Sequence, residues 1–349
     1  MLTAPVLNIC RLIQYYSIFI TMSFTGKEVV IFDSNAYRYL VAVKSQKQIR
    51  RTMGRVLDRE KENNIVAMMS PVVLRELMAH LSSRKDPTFK KCLNAIRALY
   101  LHCGDKDNFR MIADSELLIS KALFDTVLPR AENEQKHLGQ IAFQLITRDS
   151  ERVLKRFQST IIQNRQYVDQ QEKKFSTKVK SFYTHVDPTA KSWKLFAADD
   201  VSRRSFRTYI DSQAFSLGVA QQYYNEIYNQ LISAKMLSPI ALQPDVDRLD
   251  FFLKNFEAPI KLWKDVFKRM IDGEFDPYIS KNANFIWDIL IMFAVGGHSI
   301  GGGRVIIVST DKAMNKVALE VRSRYNMYTY NEYMEYLGLP SEKTASKAE

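Results

Sequence analysis

Residues 29–35 read Val-Val-Ile-Phe-Asp-Ser-Asn, an apolar run that stops abruptly at an acidic residue. The run is rich in β-branched side chains and has no polar position, which predicts a strand buried on both faces. Three further apolar runs resemble it and lie near the ends of the chain, at residues 65–69, 305–308 and 327–330. Apolar strands separated by helical segments indicate an α/β fold with a parallel sheet covered by helices.

The middle of the chain has a different pattern, with no convincing strand and few helix breakers. We therefore predict a large all-helical insertion, residues 96–279, that splits an α/β domain made of residues 23–95 and 280–340. Within it, residues 151–183 contain no Gly or Pro. Apolar residues recur there every seven positions, which predicts one long helix that packs on a single neighbour. These residues are Leu154, Ile161, Val168, Phe175 and Phe182.

The two ends of the chain fit neither pattern. Residues 1–22 are apolar, but Arg11 and Gln14 interrupt them, so the longest apolar run is far shorter than the ~20 residues of a membrane span. We interpret this segment as a doubtful leader, with Met22 as the expected true start and a weak export signal as the alternative. Residues 341–349 are predicted to be a disordered tail.

The composition favours a polyanionic partner. Fifty Lys and Arg residues against 38 Asp and Glu give a formal net charge of +12, which attracts nucleic acid at ordinary salt, although a basic surface can also serve solubility alone. Three cysteines and five histidines show no zinc-ligand spacing. A reduced, cytoplasmic compartment and no membrane association are the expectations.

Positive charge is concentrated on the predicted long helix, residues 151–183, which carries eight Lys or Arg residues against three acidic ones. Such a helix could follow a phosphate backbone, and ordinary solvation of an exposed helix explains the charges equally well. Residues 203–207, Arg-Arg-Ser-Phe-Arg, mix basic and aromatic side chains, which suits single-stranded nucleic acid.

Four acidic residues stand in unusual positions. Asp33 directly follows a predicted strand, and Asp311 lies three residues after another. An acid at such a position can also serve as a helix N-cap. Glu76 lies on the core-facing side of a predicted helix, where a pair with Lys or Arg is the alternative. Asp288 is the only charge in residues 284–295, and a buried carboxylate is costly unless it is paired, hydrogen-bonded or bound to a metal.

These acids are expected to converge, since open α/β sheets build their sites at the carboxyl ends of their strands. Four neighbouring carboxylates repel one another, so cations would be needed to neutralise them. All-oxygen ligands select hard ions such as Mg²⁺ or Mn²⁺. Two such ions could support hydrolysis of a phosphodiester bond.

The segments that carry these acids resemble the acidic motifs of the PIN-domain nuclease family. They are VVIFDSNAYRYL (29–40), SPVVLRELMAHL (70–81), NFIWDILIMFAV (284–295) and VIIVSTDKAMNKVA (305–318). The resemblance assigns catalytic and metal-binding roles to the acids, and supporting polar roles to three further residues. The acids are Asp33, Glu76, Asp288 and Asp311, and the supporting residues are Ser34, Asn35 and Ser309.

The resemblance implies a metal-dependent endonuclease with a PIN-like fold that acts on nucleic acid, RNA more than DNA. The long insertion departs from compact members of the family, so it could select the nucleic acid or hold a protein partner or inhibitor. The alternative function is a PIN-like scaffold or binding subunit that has no catalytic activity.

Overall fold

The structure is a computed structural model that describes residues 27–42, 44–105, 108–238, 246–295, 304–320 and 325–340. It is mostly helical, with one small parallel sheet. The doubtful leader, residues 1–22, and the predicted tail, residues 341–349, lie outside the described residues. No helix in these ranges is both long enough and apolar enough to cross a membrane.

The first half of the chain begins with an alternation of strands and helices and continues with helices. The elements are β1 (Glu28–Phe32), α1 (Ser34–Leu40), α2 (Gln46–Glu62), β2 (Ile65–Ala67), α3 (Pro71–Ala79), α4 (Phe89–Cys103), β3 (Gly104–Asp105), β4 (Asn108–Phe109), α5 (Ser115–Phe124), α6 (Pro129–Thr147), α7 (Ser150–Arg156) and α8 (Gln158–Val186).

The second half is helical until its last two strands. The elements are a 3₁₀ helix (Trp193–Ala197), α9 (Asp200–Asp211), α10 (Gln213–Ser233), α11 (Val246–Asn255), α12 (Glu257–Ile271), α13 (Ser280–Ala283), α14 (Phe285–Met292), a second 3₁₀ helix (Phe293–Val295), β5 (Val305–Val308), α15 (Lys312–Glu320), β6 (Tyr325–Tyr328) and α16 (Tyr330–Tyr336).

The sheet joins strands from both ends of the chain in the order β2-β1-β5-β6, with every neighbouring pair parallel. Val29 lies opposite Val305 and Phe32 opposite Val308, so the carboxyl ends of β1 and β5 are level with each other. The side chains of residues 29–32 and 305–308 are buried, as expected for apolar strands covered on both faces. The prediction that the two ends of the chain share one parallel sheet is confirmed.

The bounds of two predicted strands were slightly wrong. β2 ends at Ala67, and Met69 makes only an isolated bridge with Met111, because α3 begins at Pro71. β6 ends at Tyr328, since the Thr329 side chain caps α16.

The predicted all-helical middle of the chain was wrong at one place. Gly104–Asp105 and Asn108–Phe109 form a short antiparallel pair, directly after α4. The main-chain N–H of Arg110 bonds the carbonyl of Cys103 at 3.0 Å, and the Arg110 side chain also reaches the carbonyl of His102. Two-residue strands are too short to leave an alternating pattern, so the sequence contains little sign of them.

The predicted long helix of residues 151–183 is divided in two. α7 ends and α8 begins at Phe157, whose ring contacts His137 edge-on at 6.0 Å. All five side chains of the seven-residue repeat are buried, as that pattern predicted. The prediction that this helix packs on a single neighbour was wrong, because α8 packs on α3, α13 and α14 as well as on α7.

A buried polar network connects four helices beside the sheet. His102 on α4 contacts the Tyr37 hydroxyl at 2.9 Å and the Glu60 carboxylate at 2.8 Å through its two ring nitrogens. Tyr333 on α16 donates its hydroxyl to the same Glu60 oxygen at 2.8 Å. Because all four side chains are almost fully buried, the network holds α1, α2, α4 and α16 in one arrangement.

Candidate functional site

The four acidic residues singled out from the sequence line one cavity of about 210 Å³. Asp33 follows β1 and Asp311 follows β5 by three residues, while Glu76 lies on α3 and Asp288 on α14. The parallel register of β1 and β5 brings the first two together at one edge of the sheet. We call this space the acidic cavity.

Asp33 is held by two hydrogen bonds. Its Oδ1 accepts from the main-chain N–H of Ala36 at 2.5 Å, so Asp33 is also the N-cap of α1, and its Oδ2 accepts from the Ser309 hydroxyl. Burial, with smaller contributions from the repulsion of Glu76 and Asp311, raises the pKa of Asp33 to about 7 against the lowering effect of these two bonds. This carboxyl is therefore protonated in a fraction of the molecules near neutral pH.

Ser309 connects two of the acids. Its hydroxyl donates to Asp33, and its oxygen accepts from the main-chain N–H of Asp311 at 3.0 Å. Asp311 in turn caps α15 through a 2.8 Å bond from the N–H of Met314 to its Oδ1. Asp311 is therefore both a helix N-cap and a residue of the cavity wall. Ser309 is completely buried, so its contacts position both acids.

Glu76 is partly exposed and lies 3.4 Å from the Arg38 guanidinium. The pair is long for a hydrogen bond, which makes it weak. Arg38 also lines the acidic cavity, so Glu76 both pairs with a cation and contributes to the wall.

Asp288 is half-buried on α14 and makes no hydrogen bond or ion pair with any residue that the structure describes. Burial raises its pKa well above the ordinary value, and repulsion from Asp311, Glu76 and Asp33 adds to this effect. Within the described ranges, this carboxylate therefore has no partner that would offset its charge.

A second cation besides Arg38, Arg269, lines the same cavity. Its guanidinium lies 3.8 Å from the Asp265 carboxylate and is placed over the rings of Phe275 and Phe285. Arg269 is therefore already paired elsewhere, and it leaves the charge of Asp288 uncompensated.

The supporting residues suggested by the resemblance also lie at the cavity. Ser34 is buried and Asn35 exposed, and both contribute to its lining. Asn282 and Asn284, which sequence reasoning did not single out, add amide groups to the same wall.

A further acid, Glu172 on α8, was also missed. Its Oε1 accepts a hydrogen bond from Trp287 Nε1 at 3.2 Å, and Trp287 lines the acidic cavity next to Asp288. The pKa of Glu172 is raised, chiefly by burial and to a smaller extent by repulsion from Asp169 and Glu76. The hydrogen bond from Trp287 and the charge of Arg165 act in the opposite direction. One signal was available: Glu172 stands four residues after Val168 and three before Phe175, on the buried side of the helix.

The donors in the acidic cavity are carboxylate, amide and hydroxyl oxygens, the set that hard divalent ions prefer. As arranged here, no three acidic, His or Cys side chains in the described ranges are grouped closely enough to hold a metal ion. The four acids therefore share a cavity without forming a closed ligand cage.

No known protein family, curated protein or solved structure matches this chain.

Proposed function

We propose that this protein is a metal-dependent endonuclease with a PIN-like α/β domain, which hydrolyses phosphodiester bonds in nucleic acid, in RNA more than in DNA. One observation carries the proposal: four acids from distant parts of the chain line one cavity, and the most isolated of them, Asp288, has no partner among the described residues. Buried carboxylates that repel one another are typical of sites that bind cations.

The residues of the acidic cavity fit Mg²⁺ or Mn²⁺ by their chemistry. Asp33, Glu76, Asp288 and Asp311 would hold the metal, with two ions as the expected number. When bound, such ions lower the pKa of water and neutralise charge on the phosphodiester oxygens. The cavity holds four acids and two guanidiniums, those of Arg38 and Arg269, and Arg269 is already paired with Asp265, so the surplus of acids favours this occupancy.

The side chains of the protein itself have separate tasks in this proposal. Ser309 keeps Asp33 and Asp311 at a constant separation, since it bonds both. Arg38, at the cavity wall, has only a long contact with Glu76 at 3.4 Å, which leaves its guanidinium able to donate to a phosphate oxygen. The amides of Asn282 and Asn284 offer further donors to the substrate backbone.

Substrate and location are parts of the same proposal. The preference for RNA follows from the family resemblance, and the cytoplasm from the cysteine usage, which agrees with two buried free thiols at Cys92 and Cys103. The alternative is a PIN-like scaffold without activity. The retention of four acids in one cavity favours the nuclease, because a scaffold has no need of an unpartnered Asp288.

The test is a cleavage assay on labelled RNA and on single- and double-stranded DNA, with Mg²⁺, Mn²⁺ or EDTA. We expect metal-dependent cleavage of RNA that Asp288→Asn lowers at least 100-fold, since one metal ligand is lost. Asp250→Asn makes the same chemical change at an exposed position on α11 and should stay within twofold of wild type. Cleavage that survives EDTA, or equal activity in Asp288→Asn, would contradict the nuclease proposal, and inactivity of the wild type on all substrates would favour the scaffold.

A further inference from the structure

A second, larger cavity lies on the surface where α7 meets the segment after α3. It has a volume of about 720 Å³ and is lined by residues 81–85, by α7 residues and by the first turns of α8. Leu81, Leu154 and Ile161 lie beneath it and are almost completely buried. We call it the basic groove, because most of its charged lining residues are cations.

The charged residues of the basic groove are strongly unbalanced. Four are cations, Arg84, Lys85, Arg152 and Lys155, and one is an acid, Glu151. The Glu151 carboxylate is already bonded by Arg84. Lys85, Arg152 and Lys155 are exposed and make no ion pair with any residue in the described ranges. Among its lining residues, the groove therefore carries a surplus of three positive charges.

The basic groove and the acidic cavity lie along the same pair of helices. α3 carries Glu76 and ends at Ala79, two residues before the groove begins at Leu81. On α8, Ile161 lines the groove and Glu172 contacts the wall of the acidic cavity through Trp287.

The spacing along α8 can be estimated from helix geometry. The eleven residues from Ile161 to Glu172 make three turns, so both face the same side, and they span about 16 Å. A stacked strand rises about 3.4 Å per nucleotide, so about five nucleotides cover this distance.

The two helices are fixed against each other between the sites. Asn164 on α8 donates its amide to the main-chain carbonyl of Arg75 on α3 at 2.8 Å, and both residues are buried. Arg75 also lies over the ring of Tyr167 at 4.5 Å. The separation of groove and cavity is therefore set by buried contacts, as a fixed binding surface requires.

We propose that the basic groove binds the single-stranded RNA that extends from the acidic cavity, about five nucleotides from the cleaved bond. This inference rests on the proposed function for its choice of ligand. The unpaired cations of Lys85, Arg152 and Lys155 bind the phosphates of that strand. The groove thereby favours long substrates over short ones.

The experiment measures binding and cleavage separately. The full chain with Arg152→Gln and Lys155→Gln is titrated against a labelled 15-nucleotide single-stranded RNA by fluorescence anisotropy at several salt concentrations, in EDTA so that no cleavage occurs. The control exchanges Lys173→Gln and Lys174→Gln, two exposed lysines on other faces of α8. Both variants lose the same charge from exposed positions, and circular dichroism checks their folding.

We expect the groove variant to bind about tenfold more weakly and the control within twofold of wild type. Loss of two phosphate contacts should also lower the slope of log Kd against log salt by about 1.4. If the nuclease proposal holds, kcat/KM on the 15-mer falls with the affinity, and cleavage of a three-nucleotide substrate, too short to reach the groove, is unchanged.

The outcomes separate the two proposals. Weak binding by the groove variant alone, with a wild type that cleaves nothing, supports the groove and contradicts the nuclease. Equal RNA binding by the groove variant and the wild type overturns the proposal that the groove binds RNA, whether or not the protein cleaves. An acidic protein then becomes the better candidate ligand for the groove. Equal losses in the groove variant and the control also overturn it, because general charge attraction would then explain the binding.

Discussion

Asp288→Asn should stabilise the metal-free protein at alkaline pH. The side chain has no hydrogen bond to lose among the described residues, and asparagine keeps its shape. Its carboxyl is difficult to ionise because of burial and of repulsion from Asp311, Glu76 and Asp33. Removal of the charge removes this unfavourable free energy, which no metal ion offsets in EDTA.

Asp33 in the same cavity sets the magnitude. Its pKa of about 7, against an ordinary value of 3.8, corresponds to an upper limit of about 4 kcal/mol at 1.36 kcal/mol per pKa unit. Asp288 is more exposed than Asp33, so solvent screens part of its charge and the gain should stay below this limit. For a chain of this length, each kcal/mol of stabilisation raises Tm by about 1.4 °C.

The gain should depend on pH with a definite sign. At pH 8 the unfolded chain has ionised Asp288, while the folded protein resists ionisation, so wild type is penalised and Asp288→Asn is not. At pH 4 the folded carboxyl keeps its proton, and the two proteins should differ little. Thermal unfolding by circular dichroism in EDTA at both pH values measures the difference, and Asp250→Asn serves as the exposed control.

Addition of Mg²⁺ should reverse the order, because the ion binds the folded wild type more tightly than it binds Asp288→Asn. A variant that is less stable than wild type by more than about 1 kcal/mol in EDTA at pH 8 would show that Asp288 has a structural partner. Such a result would refute the cation-binding interpretation of the acidic cavity.

Two other predictions concern stability. Asp33 has a raised pKa in the folded protein, so the unfolded chain loses its proton at lower pH than the folded one. The stability of the metal-free protein should therefore fall as the pH rises from about 4 to about 7. Urea unfolding in EDTA measures this, and a Cm that rises over this pH range would contradict the prediction. His102→Leu should lower the free energy of unfolding by about 3 kcal/mol, because among the described residues the buried Glu60 carboxylate then keeps only the Tyr333 hydroxyl as a partner. A loss below 1 kcal/mol in urea unfolding would show that this network contributes little.

The pattern of apolar residues was sufficient to locate the two central strands of the sheet. β1 and β5 are continuous apolar runs, and a strand buried on both faces needs such a run, so each strand could be located from local sequence alone. The isolation of Asp288 in an apolar helix was equally visible, because it required only the sequence of α14.

The chain order of the acids did not predict the contacts between them. Ser309 bonds both Asp33 and Asp311 only because the register of β1 and β5 places their carboxyl ends side by side. Metal binding and catalysis by these residues stay predictions, since oxygen ligands in one cavity do not by themselves define a bound ion.

The helical middle of the chain depended most on tertiary structure. The seven-residue repeat correctly marked the buried side chains of residues 151–183, since period and burial are local properties. The break at Phe157, beside His137, and the position of Glu172 against Trp287 arise from packing between helices that are distant in sequence. Local sequence therefore determined which side chains are buried, and only the packing of distant helices decided which charges meet.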